Sequence, residues 1–115
     1  MLATLLVGVI GYIWLVHWLV FGRGAFAVVY NPVIGWCVRR IGMAACTIGA
    51  RCYMATATTR MTITGYRHEE AHYVHQWCVR PYTFVPRYLY WLARVGYDQH
   101  PDEQEARLIA GEPLR

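Results

Sequence analysis

His68-Glu69-Glu70-Ala71-His72-Tyr73-Val74-His75-Gln76-Trp77 is the stretch around which the chain is organised. On an α-helix, at about 100° per residue, His68 and His72 stand about 40° apart on one face. Two imidazoles one turn apart can hold a single Zn²⁺. Glu69 points to the edge of the same face, where it can take a proton from a metal-bound water. The bland alternative is a pair of exposed helix histidines beside the charged Glu69-Glu70 pair. A second motif downstream weighs against it.

A chain of 115 residues fits one domain, or a small domain with an attached membrane segment. Apolar residues make up 57% and charged residues 16%, which is greasy for a soluble domain of this size. All eleven basic residues are arginines, scattered from Arg23 to Arg115 with no basic run interleaved with aromatics. No nucleic-acid partner is expected. Cys37, Cys46, Cys52 and Cys78 contain no C-x-x-C pair, so zinc-finger spacing is absent and small buried thiols are expected.

Residues 2–21 carry no formal charge and one histidine, His17. As a helix they extend about 30 Å, the thickness of a bilayer's hydrocarbon core. Trp14, Trp18 and Arg23 sit where interfacial anchors are expected, so residues 1–23 read as a transmembrane helix or signal anchor. Arg23, Arg39, Arg40 and Arg51 all follow the span, which puts the carboxyl-terminal domain of a single-pass protein in the cytoplasm. Cleavage at Ala25-Phe26-Ala27, with export of the domain, is the alternative.

Residues 24–43 form an apolar connecting segment broken at Asn31-Pro32. An interfacial or re-entrant segment fits there, and so does a helix packed on the domain. Two short strands are expected at 46–48 and 51–54 around Gly49-Ala50, and the threonine-rich run 61–64 keeps a β-like composition. The motif helix is expected over 66–79, before Pro81. A second helix is expected from Pro86 to Gly96, with Tyr88, Leu89, Leu92 and Val95 as core. A third begins after His100-Pro101 and stops at Gly111.

A catalytic zinc usually has three protein ligands and one open position. His75 lies on the same helix as the pair and cannot readily close the site. His100, Glu103 and Glu105 remain as candidates, and the two glutamates, two apart on a helix, point about 200° apart, so one of them can face the metal.

His68 to Gln76 matches H-E-x-x-H-x-x-Q, and Gly96 to Arg107 is similar to G-Y-x-x-N-P-x-E-x-E-A. The chain thereby resembles small bacterial and phage zincin-like metallopeptidase domains of the gluzincin type. Thr47-Ile48-Gly49 is similar to the T-x-G turn of such domains. With the amino-terminal transmembrane helix read from hydropathy, the expected fold is α+β. The resemblance covers about residues 44–111 and implies a minimal zincin-like domain over 44–115 with short strands and about three helices. It implies His68, His72 and Glu105 as Zn²⁺ ligands and Glu69 as general base. Glu103 would orient a ligand or cap its helix, and Gln76 would support the site. His100 and His75 are departures from the pattern. The activity implied is hydrolysis of peptide bonds by a zinc-activated water; the apolar run of residues 2–21, outside the resemblance, would anchor the protein to a membrane. Tyr82, Tyr88, Tyr97, His75 and His100 are all available to stabilise the oxyanion. The competing expectation is a non-catalytic membrane protein whose zinc staples a domain too small to be stable alone.

Overall fold

The computed structural model describes residues 1–58 and 60–114. Its five α-helices and small sheet make an α+β chain, and its first helix, α1 (Leu2–Phe21), is long and apolar enough to cross a membrane or to serve as a signal sequence. The strands β1 (Ala27–Val29), β2 (Ala45–Ile48) and β3 (Arg51–Met54) form one sheet in the order β1-β3-β2. β2 and β3 are the expected hairpin, paired from Ala45↔Met54 to Ile48↔Arg51. β1 runs parallel to β3 and was not expected; three residues without alternation carry no strand signal of their own.

The connecting segment is thus part of the domain. Asn31 accepts from the backbone N–H groups of Val33 and Ile34, and Pro32 opens α2 (Pro32–Arg40) with its fixed φ. This helix packs on the sheet, with Gly35 buried against the carbonyls of Met54 and Ala55.

The threonine-rich run is not a strand. Thr62 accepts from the Gly65 N–H at 3.0 Å and caps α3 (Ile63–Ala71), so a local cap overrides β propensity. The chain continues without a break into a π-helical segment, His72–Trp77, in which the Cys78 N–H reaches back five residues to the Tyr73 carbonyl. Beyond Pro81 come α4 (Phe84–Val95) and α5 (Pro101–Ala110), the latter ended by Gly111 in the left-handed conformation. Of the core expected on α4, Tyr88 is half-buried but Leu89, Leu92 and Val95 are exposed; Phe84 is the residue that α4 buries. The four cysteines are free thiols, with Cys52 buried and Cys37 exposed.

The second half of α1 is built into the domain. Val16 and Val20 form a core with Trp77 and Phe84. The Leu19 carbonyl accepts from the Ala50 N–H at 2.9 Å, at the tip of the β2–β3 hairpin. Gly49 makes that approach possible: its φ is +59°, and a Cβ there would stand 2.3 Å from the Leu19 oxygen. Gly49→Ala is expected to cost more than about 2 kcal/mol, from left-handed strain plus displacement of α1. Gly42→Ala, also at positive φ but facing open space, carries only the backbone strain of about 1 kcal/mol. Thermal unfolding in detergent micelles compares the two, and equal losses would show that the α1 contact contributes nothing.

Candidate metal centre

His68 lies in the last turn of α3 and His72 opens the π-helical segment, with ring centroids 4.9 Å apart and Nε2 atoms 3.2 Å apart. The carboxylate that joins them is Glu103. Its Oε2 lies 3.0 Å from His68 Nε2 and its Oε1 lies 3.2 Å from His72 Nε2. These three buried residues form a group able to hold a metal ion. Donors about 2.0–2.1 Å from a tetrahedral ion stand about 3.3 Å from one another, so this triangle is within a few tenths of an ångström of the required size.

Glu105, the ligand implied by the resemblance, is not in this group. It is exposed on another face of α5, where it accepts from Gln76 Nε2 at 3.2 Å. The phase of α5 decides the matter: Glu103, Ala106, Arg107 and Ala110 are all buried and share one stripe of the helix. The sequence alone does not select that stripe, since Glu105, Leu108 and Ile109 recur at the same helical spacing.

The supporting groups settle which imidazole nitrogens face the centre. Gln76, fully buried, donates from Nε2 to the Asp102 carbonyl at 2.7 Å, so its Oε1 must accept from His72 Nδ1, also at 2.7 Å. His72 Nε2 then carries a lone pair directed at the centre. Glu112 does the same for His68, with Oε2 3.2 Å from Nδ1. It lies in the tail beyond Gly111, held by its N–H on the Arg107 carbonyl, and no sequence pattern marks it. With both Nδ1 atoms protonated, two lone pairs and a carboxylate converge on one point, and a cation must balance them. Without a metal that cation is a proton. Burial disfavours it, but the hydrogen bond and charge of Glu103, followed by the charge of Glu69, raise His72 to about 9. Glu103 is pushed up by burial, yet His68 and His72 hold it well below the carboxylate range.

His100 is fully buried and spent on structure. Its Nδ1 accepts from the Asp102 N–H at 3.0 Å, leaving Nε2–H to donate to the Tyr88 carbonyl at 2.9 Å. It caps α5 and stacks on Tyr88 with 4.0 Å between centroids, which fixes the turn that carries Glu103. His75 is exposed and outside the metal group. Glu69 is half-buried and likewise not a member of the group; its Oε2 accepts from Thr47 Oγ1 at 2.6 Å, which ties the site helix to β2. Tyr88 donates to Glu103 Oε1 at 2.8 Å, and Tyr82 is engaged with α1 through His17 at 3.3 Å. Burial and the Glu103 charge raise the Tyr97 hydroxyl, which stands beside that carboxylate with 38% of the residue exposed. Burial, Glu69 and Glu103 push the Cys46 thiol up to about 11, so it stays a neutral thiol.

No family model matches the chain, and no curated protein or solved structure matches it.

Proposed function

We propose that the chain is a membrane-anchored, zinc-dependent peptidase of the zincin-like, gluzincin-type class that its motifs resemble. One observation carries the reading. Glu69 stands between the two histidines, is not spent as a metal ligand, and is held in place by the Thr47 hydroxyl at 2.6 Å. The Thr47 bond ties helix to strand and a neutral side chain could make it; a carboxylate adds the capacity to take a proton, which a site that only staples a fold does not need.

His68, His72 and Glu103 would hold the ion, two imidazoles and a carboxylate being the donor set of a catalytic zinc. Bound zinc supplies a Lewis acid that brings the pKa of water to about 7 and polarises a carbonyl. Glu69 accepts the proton of the attacking water and returns it to the leaving amine. Thr47 keeps one carboxylate oxygen engaged and leaves the other for the proton. Tyr97, partly exposed, would donate to the developing oxyanion.

α1 is retained in this reading. Cleavage near Ala27 would strip Val16 and Val20 from the core and orphan the Ala50 N–H, so the helix serves as anchor and not as a discarded signal. The arginines that follow it place the domain on the cytoplasmic side.

The second reading is a structural metal, favoured by burial: His68, His72 and Glu103 are only 7%, 6% and 2% exposed. Elemental analysis and a peptide-library assay on protein purified in detergent separate the two. The peptidase reading expects one zinc per chain, with cleavage abolished by a chelator and restored by zinc. One zinc without cleavage would assign the metal to the fold, and no metal would overturn both readings.

A further inference from the structure

α1 meets the domain along its flank. Tyr12 Oη donates to the Tyr82 carbonyl at 3.0 Å, and Val16 and Val20 are buried against Trp77 and Phe84. Only residues 2–11 project freely, a length of about 15 Å against a hydrocarbon core of about 30 Å. A helix of twenty apolar residues lying across a bilayer therefore carries its docked half, and whatever is docked on it, into the near leaflet.

The domain surface beside that contact is itself apolar. Between Val79 and Val95, the side chains of Val79, Tyr82, Leu89, Tyr90, Leu92 and Val95 are 39–65% exposed. α4 carries only two charges, Arg87 and Arg94, seven residues apart on one side of the helix. Both are turned to polar or aromatic partners: Arg87 Nη2 lies 3.3 Å from Asp102, and the Arg94 guanidinium lies over the Tyr90 ring. Leu89, Leu92 and Val95 extend the face whose other members, Phe84, Val85 and Tyr88, pack on the α1 core. The apolar surface of α4 is thus continuous with that of α1. An exposed apolar face of this extent calls for a cover.

We infer that α4 and the loop before it are a second membrane-contacting element, seated in the interface of the leaflet that α1 enters. The occupant of this face is lipid. The inference rests on α1 lying in a membrane, as proposed above. Arg94 sets the depth, its stem along apolar surface and its charge at the headgroups, while Arg87 and the loop's Arg80 keep their charges paired with buried Asp102. Tyr88 ties α4 to Glu103, so the metal centre is held at the height of the bilayer surface. The substrates such a centre reaches are peptide segments lying close to the membrane.

The test is photo-crosslinking of the full chain in phosphatidylcholine–phosphatidylglycerol vesicles. Benzoylphenylalanine is placed singly at Val7, Leu89, Leu92 and Ile41, all exposed positions where it disturbs no core. Lipid adducts at Val7, Leu89 and Leu92 but not at Ile41 are expected. Adducts at Val7 alone would overturn the inference while leaving α1 in the membrane. Links from Leu89 or Leu92 to a second copy of the chain would overturn it by assigning the face to a dimer. Absence of adducts at Val7 would remove the anchor reading and the inference with it.

Discussion

Glu103→Ala is expected to weaken zinc binding by about a hundredfold to a thousandfold, whereas Glu105→Ala leaves affinity within about tenfold of wild type. The two residues are neighbours in sequence and differ completely in position. Glu103 is 2% exposed and presents one oxygen to each imidazole, at 3.0 and 3.2 Å. Its removal leaves two imidazole donors and deprives the Tyr88 hydroxyl of its acceptor. Tetrahedral zinc sites are worth about 10–16 kcal/mol over four ligands, so losing one costs about 2.5–4 kcal/mol, or roughly a hundredfold to a thousandfold in affinity. Glu105 touches the centre only through Gln76, which keeps its bond to the Asp102 carbonyl when the glutamate is gone. Competition against a chromophoric chelator measures both constants, and thermal unfolding of the metal-free proteins checks that each variant folds. Zinc lost from Glu105→Ala and kept by Glu103→Ala would reverse the assignment.

That contrast marks how far the sequence could be read. The two histidines four apart, the start of α5 at Pro101 and its stop at Gly111 depend on local periodicity and backbone chemistry, and each lies within a residue of where the sequence indicates. Two glutamates two apart could be reduced to one ligand by angle alone. Choosing between them needs the rotation of α5 about its own axis. That rotation is set by His100 reaching the Tyr88 carbonyl and by the burial of Ala106 and Ala110, which are contacts between elements. Glu112 was missed for a similar reason: it reaches His68 only because the tail folds back after Gly111. The parallel pairing of β1 with β3 joins residues 24 apart, beyond any hairpin signal. Hydropathy marks α1 as apolar on all sides but says nothing of which half of it packs on protein.

Glu69→Gln is expected to retain zinc and to lower kcat/KM for peptide hydrolysis by about 10²–10⁴-fold, the range for loss of a positioned general base. Glutamine keeps the shape of glutamate and an oxygen able to accept from Thr47 Oγ1, so the tie between β2 and the site helix survives. What it loses is the capacity to take a proton. Because Glu69 lies outside the donor group of His68, His72 and Glu103, metal content and zinc affinity should stay near wild type. The combination of an unchanged zinc stoichiometry and a collapsed turnover is what distinguishes a base from a ligand and from a structural carboxylate. If zinc is lost in Glu69→Gln, the glutamate belongs to the coordination sphere. If zinc and turnover are both retained, the proton is carried by another group, and Tyr97 is the next residue to substitute.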